Sequence, residues 1–294
     1  RLGIFGFVAS LILLVLVMFF GTDSHGSTRW LNLGWFSIQP SEFIKPFFVI
    51  TTAVLLSKSY RLPVNISKYL SSTIISTILL CIIVLLLLKQ PDLGMSVIIV
   101  LIWTGQLFLI GISLRWIMVL FSFLGLGLFL GYNIFSHVKR RIDCFIDNSC
   151  EGMHQIINSF QAYEAGGIIG VGPGDGVIKN RISDSHTDFI FPVIAEEFGA
   201  IFCVIILLLS CSIVIRGLIR VFEKNNLFVL LVVCGILTLF GLQVLLNVSV
   251  TLGLVPITGV TFPFISYGGS SLLSASIGMG IVLALTKKTN EIVN

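Results

Sequence analysis

Charge is scarce in this chain. Of its 294 residues, 18 are Lys or Arg, 14 are Asp or Glu, and the charged fraction is 11%. Soluble domains carry about 25%, so an ordinary soluble fold is excluded. The net charge of +4 is too small to argue for nucleic acid as a partner. Strict apolar–polar alternation is also missing, and its absence excludes a closed β-barrel. The six cysteines follow no metal-ligand spacing. Cys81, Cys203, Cys211 and Cys234 lie inside apolar runs and read as packing residues. Cys144 and Cys150 are candidates for a disulfide if their face is oxidising. A nucleotide loop is absent: "GGIIGVGPGDG" at 166–176 is followed by "VIKN", not by Gly-Lys-Ser/Thr. No charged n-region or cleavage site precedes the first apolar run, so the opening does not resemble a signal peptide. It starts abruptly at a helix, as a fragment would.

Apolar length is abundant. The hydrophobic fraction is 56% and the mean hydropathy +1.05. A membrane span needs about 20 apolar residues. Runs of that kind lie near 2–20, 70–88, 93–112, 117–135, 198–215 and 227–250, with weaker ones near 43–57 and 271–286. The expectation is an all-α polytopic membrane protein of about eight helices, forming one domain over 1–294. Eight spans put both ends on one side. That side holds Arg1, Lys58, Arg61, Lys68, Arg115, Arg216, Arg220, Lys224, Lys287 and Lys288, but only Glu223 and Glu291 among the acids. The positive-inside rule makes it the cytoplasmic side. The remaining acids face outward, which that rule does not explain.

One outer loop, 136–188, is far longer than ordinary connections. Ile156, Ile157, Phe160 and Tyr163 recur in it at helical spacing, so it is expected to lie on the membrane surface or dip into it. The six glycines of 166–176 imply unusual backbone angles or close approach to a ligand. "RWLNLGWFSIQPSEFIK", 29–45, contains a helix start at Pro40-Ser41-Glu42. Glu42 and Lys45 share a helix face there. They are either an ion pair that carries Lys45 into the membrane, or Lys45 and Arg29 offer positive charge to a phosphorylated ligand, with Gln39 beside them. "KQPDLG", 89–94, reads as a tight turn with Asp92 capping the next helix, or as part of a site with Gln90. "GLVPITGVTFPFISYGGSS", 253–271, is irregular backbone at membrane depth, expected to line a cavity, with Ser266 and Ser270 as candidate substrate contacts.

The stretch "SDSHTDFIFPVIAEEFG", 183–199, puts four carboxylates at the mouth of a membrane helix. Charge there is costly and usually marks a site. Asp188, flanked by His186 and Thr187, is either a helix cap or a general base at the water–lipid boundary. Glu196 and Glu197 are expected roughly 12–13 Å deeper at 1.5 Å per residue. They must face protein or a water-filled cavity, and pairing with Lys45 is one resolution.

Taken in order, "RWLNLGWFSIQPSEFIK", "KQPDLG", "GGIIGVGPGDG", "HTDFIFPVIAEEFG" and "PITGVTFPFISYGGSS" resemble the motifs of the SEDS family of bacterial cell-wall proteins, which includes FtsW, RodA and SpoVE. The "GPGDGVIK" run looks more like the FtsW branch. The resemblance implies a peptidoglycan glycosyltransferase that polymerises lipid II on the outer face of the cytoplasmic membrane. It also implies a class B penicillin-binding protein and other divisome proteins as partners, an essential aspartate at Asp188, and ten helices, of which the first two appear to be missing. Asp188 then takes the proton of the acceptor hydroxyl. Arg29 and Lys45 stabilise the leaving diphosphate, with Mg²⁺ or Mn²⁺ as a candidate helper although no spacing marks a metal site. Two other readings stand beside this one: a transporter that flips lipid-linked precursors, and a scaffold for the penicillin-binding protein that needs no carboxylate at 188. Pro192 departs from the small residue usual in the family; it costs no helical bond if the helix starts at Asp188 or Phe189.

Overall fold

The structure, a computed structural model, describes residues 2–24, 27–32, 34, 36–60, 66–113, 115, 118, 122, 125, 127, 131–147 and 151–287. Helix α1 (Leu2–Phe20) leads into a small antiparallel sheet of order β1-β2-β3, made of β1 (Thr22–Ser24), β2 (Ser27–Asn32) and β3 (Ser37–Ile38). Then come α2 (Pro40–Tyr60), α3 (Ile66–Lys89) and α4 (Leu93–Leu109). The long segment before α7 holds α5 (Ser136–Asp147), α6 (Glu151–Gly166) and a 3₁₀ turn (Ile178–Arg181). Helices α7 (Ile190–Phe222), α8 (Leu227–Thr251) and α9 (Gly269–Thr286) complete the chain. Among the described residues, six helices are long and apolar enough to cross a membrane: α1, α2, α3, α7, α8 and α9; α4, at 17 residues, is a shorter apolar helix. The span expected near 117–135 lies largely outside the described residues, as does Cys150. Cys144 is disulfide-bonded, and the four cysteines of the apolar runs are free.

Helices α2 and α8 together form the centre of the bundle: they pack on each other and both touch α4 and α9. Seventy-two per cent of the α2 span and 61% of the α8 span are buried, against 17% for α7, so α7 turns most of its surface to lipid. Apolar burial gives little sorting between helices inside a bilayer, so polar ties count for more. Gln106 of α4 donates to Val49 O of α2 (3.0 Å) and Leu231 O of α8 (3.4 Å), and accepts from Thr52 Oγ1 (2.6 Å). Pro46, inside α2, has no N–H for Glu42 O, the carbonyl one turn back. Ser274 of α9 donates to that carbonyl at 2.7 Å and repairs the ladder.

The most informative break is in α7. Gly199 has φ 80° and ψ 176°, a region open essentially to glycine alone. The chain before it, 190–198, is a short half-helix. The glycine-rich loop fills the interruption. Val171 N donates to Glu196 O (2.9 Å) and Gly172 N to Glu197 O (3.1 Å), while Ala200 N donates to Gly167 O (3.0 Å) and Ile201 N to Ile168 O (3.3 Å). The groups orphaned by the helix break and those of the loop satisfy each other. Closeness requires glycine: a Cβ on Gly170 would lie 2.3 Å from Glu197 O, and one on Gly199 2.4 Å from Ile168 O. The glycines therefore serve unusual angles, as the sequence implied, and the close approach is to the protein's own backbone. Gly199→Ala is expected to cost about 1–3 kcal/mol in backbone strain alone. Amide exchange at Val171, Gly172, Ala200 and Ile201 should accelerate by roughly ten- to a hundred-fold; unchanged protection would show that the loop does not depend on the break.

Candidate functional site

Strand β2 sets the first residue of the site. Alternation along it buries Arg29 and Leu31 on one side. Arg29 is 9% exposed and reaches the α3–α4 turn. There Nε donates to Gln90 O at 3.2 Å, Nη2 donates to Pro91 O, and Nη1 lies 3.8 Å from Asp92 Oδ1. Asp92 is also the N-cap of α4, accepting from Met95 N at 3.4 Å, as the "KQPDLG" pattern implied. At the head of α2, Lys45 Nζ bonds Glu42 Oε2 at 2.7 Å and approaches Met95 Sδ at 3.5 Å, with both charged residues 1% exposed. The ion pair of the first reading forms, and it is compatible with Lys45 offering charge to a ligand.

Asp188 lies in the turn just before α7, whose N-cap is Phe189. Pro192 is thus in the first turn and breaks no helical bond. The turn is tight: Thr187 N and Phe189 N both donate to Asp184 O, at 3.0 and 3.3 Å. The irregular segment between α8 and α9 is laced onto it. Ser266 Oγ donates to Thr187 O (2.6 Å) and accepts from Phe262 N (2.8 Å), and Tyr267 N donates to His186 O (2.8 Å). Ser270 Oγ accepts from Gln39 N at 3.1 Å, which joins α9 to the entry of α2. The hydroxyls of Ser266 and Ser270 are thus engaged in holding segments together, and the imidazole of His186 is exposed. A Cβ on Gly259 would lie 3.4 Å from both Asp188 Oδ2 and Arg29 Nη1, so carboxylate and guanidinium flank one bare stretch of backbone. Burial of the carboxyl group, with added repulsion from Asp184, pushes the pKa of Asp188 up to about 6 despite the opposing pull of Arg29.

Among the described residues, the buried side-chain atoms without a hydrogen-bond partner are Ser41 Oγ, Glu42 Oε1, Asp92 Oδ2, Asn247 Oδ1 and Thr258 Oγ1. All belong to this neighbourhood. Thr258 packs on Gly94 at the start of α4, and Asn247 bonds the Asp188 turn. Buried polar atoms are normally satisfied; a cluster left open beside an ionisable carboxylate is what a polar ligand would complete.

Glu196 and Glu197 stand apart from this cluster, and the suggested pairing with Lys45 is not formed. Glu196, 2% exposed, accepts from Ile178 N (2.8 Å) and Lys179 N (2.9 Å) and so caps the 3₁₀ turn. Glu197 pairs with Lys179 Nζ. Because α7 is broken at Gly199, these acids belong to the half-helix covered by the loop. The half-helix is continuous from Ile190 to Phe198, so both acids stand about two turns beyond Asp188, as their spacing implies.

Sequence reading missed Asn247. Its Nδ2 donates to Asp188 O and to Val260 O, both at 2.8 Å, from a residue 1% exposed on α8. An asparagine one turn beyond Gln243 in a mostly apolar helix was the available signal. Tyr163, which bonds Thr251 Oγ1 at 2.7 Å and ties α6 to α8, was read only as an apolar-face residue. Asn247→Leu leaves two carbonyls unpaired, at about 1–3 kcal/mol each. Hydrogen exchange should rise in both 184–189 and 258–262; a rise in only one of them would show that Asn247 does not clamp the two together.

The chain matches the family described as cell cycle protein (FtsW, RodA, SpoVE) over residues 1–291. It is 36% identical to the "Probable peptidoglycan glycosyltransferase FtsW" of Caulobacter vibrioides, covering 98% of this chain and 73% of that one. It is 32% identical to the stage V sporulation protein E of Bacillus subtilis, covering 94% and 76%. Among solved structures, a peptidoglycan synthase complex that coordinates polymerization and crosslinking matches with TM-score 0.79 at 29% identity, over 99% of this chain and 82% of that one. The rod shape determining protein RodA of Thermus thermophilus matches with TM-score 0.68 at 28% identity, over 98% and 79%. The chain is a member of the FtsW/RodA/SpoVE (SEDS) family, on its FtsW branch.

Proposed function

We propose that this chain is a peptidoglycan glycosyltransferase of cell division that polymerises lipid II, with Asp188 as general base. The observation that carries this reading is a carboxylate raised to about 6 by burial, flanking Gly259 together with Arg29 and within electrostatic reach of Asp92 and Glu42. A base is most effective when its pKa lies near the working pH. The acceptor hydroxyl oxygen forms the new bond to the anomeric carbon, the bond from that carbon to the diphosphate breaks, and the hydroxyl proton passes to Asp188. Asp92 and Glu42 are tied to Arg29 and Lys45, which leaves Asp188 as the base candidate and suits direct displacement with inversion. Arg29 and Lys45, fixed by Gln90, Pro91 and Glu42, supply preset positive charge near the departing diphosphate.

The unpartnered Glu42 Oε1 and Asp92 Oδ2 are oxygen donors of the kind Mg²⁺ or Mn²⁺ takes. Among the described residues no three His, Cys, Asp or Glu side chains are grouped to hold a metal; Glu42 and Asp92 are the residues that would hold a cation here. Bound there, it would neutralise charge on the leaving group. His186, Thr187, Ser266, Ser270 and Gln39 border the acceptor side. The chain sits in the bacterial cytoplasmic membrane as a multi-pass protein, with both ends cytoplasmic and the Asp188 face outward. A class B penicillin-binding protein cross-links its product. The test is glycan polymerisation from lipid II by the protein with that partner, compared with Asp188→Asn.

A further inference from the structure

We infer that the tip of the glycine-rich loop, Ile168–Val171, is inserted into the bilayer as a short non-helical lip whose ligand is lipid acyl chains. Ile168, Ile169 and Val171 are 68%, 81% and 45% exposed. Three large apolar side chains in four residues point away from the protein. No charged residue lies between Glu164 and Asp175. Exposed apolar clusters of this kind mark interaction surfaces.

Continuity with α7 identifies the occupant. The hydrogen bonds from Ala200 N and Ile201 N to Gly167 O and Ile168 O hold the loop level with the start of the long half of α7. From that level Ile201, Phe202, Val204, Ile205, Leu208 and Leu209 are all exposed. They form the face that a membrane-crossing helix shows to lipid. Ile168 and Ile169 extend this face by one step outward, while Glu197 and Lys179 pair beside the loop.

Irregular backbone is normally kept out of hydrocarbon by its unsatisfied polar groups. Here the break at Gly199 removes much of that obstacle. The amides of Gly167, Gly170, Val171 and Gly172 and the carbonyls of Gly167 and Ile168 are bonded to protein. Broken helix and loop are thus complementary halves of one membrane-tolerant unit. The 3₁₀ turn and the turn bearing Asp188 follow directly in the chain, so lipid anchorage of the lip holds them at the bilayer surface. This inference is independent of the enzymatic reading.

The test uses the full chain in phosphatidylcholine vesicles, with Ile169→Trp and Ile168→Trp each compared with the parent so that the native tryptophans cancel. Both positions are exposed enough to take an indole without repacking. The added emission should be blue-shifted, quenched by acyl-brominated phosphatidylcholine and spared by iodide. Quenching by iodide and not by brominated lipid would overturn the proposal by placing the lip in water. Insensitivity to both would overturn it too, by showing that protein covers the lip.

Discussion

Asp188→Asn should abolish glycan polymerisation from lipid II while the protein stays folded and still binds the class B penicillin-binding protein proposed as its partner. A positioned base contributes about 10²–10⁴-fold, and asparagine keeps the shape of the side chain without its basicity. The variant is not expected to lose stability. The carboxyl pKa is raised from 3.8 to about 6 by burial, so the folded state favours the protonated form. The stability this contributes is complete below pH 4 and is lost as pH rises through about 6. At neutral pH the native carboxylate is therefore a cost, which the neutral amide removes. Catalysis runs the other way: the base works only when ionised, so kcat/KM for the parent should rise with pH through about 6 and level off above it. An Asp188→Asn protein that polymerises normally would eliminate the base assignment. Loss of lipid flipping rather than of polymer would favour a transporter. A parent profile flat between pH 5 and 7 would assign the titrating step to another group.

Lys45→Met should be the most destabilising removal of a charge in the site. Lys45 and Glu42 are each 1% exposed and bond at 2.7 Å. Removing one member of a buried pair costs about 3–5 kcal/mol, because the other charge stays buried without compensation. Replacing both members is often far milder. Lys45→Met should therefore lower the thermal midpoint on the order of 10 °C, and adding Glu42→Gln should recover most of that loss. Methionine suits the place, since Lys45 already rests against Met95 Sδ. If the single variant melts with the parent, the pair is not held in a dry environment and its place in the diphosphate site must be reconsidered. Polymerisation should fail in the double variant even when its stability returns, because the preset positive charge is gone.

Much of the architecture is legible in the chain because lipid imposes a simple rule. A span must be about 20 apolar residues and must bond its own backbone. The runs near 2–20, 70–88 and 227–250 appear as α1, α3 and α8 within a few residues. The cap at Asp92, the first turn at Pro40 and the harmless place of Pro192 follow from rules local to a few residues. The sheet carrying Arg29 was less legible, since "STRWLN" pairs with short neighbours over few residues and strand preference depends on context. The break in α7 was not legible at all. One glycine in an apolar run is ordinary; only the loop packed into it, from nearly 30 residues earlier, shows that it interrupts the helix.

The sequence by itself determined that this is a multi-helix membrane protein of the SEDS family, and that Asp188, Arg29, Glu42, Lys45 and Asp92 are the residues to examine. Composition and short motifs suffice for that, because hydropathy and local capping act along the chain. Tertiary structure alone decided how those residues are used. It joined Arg29 to the turn bearing Asp92, clamped Asp188 with Asn247, and gave Glu196 and Glu197 to the loop instead of to Lys45. A buried charge takes whichever partner packing brings within about 3 Å, and that distance depends on how helices far apart in the chain meet.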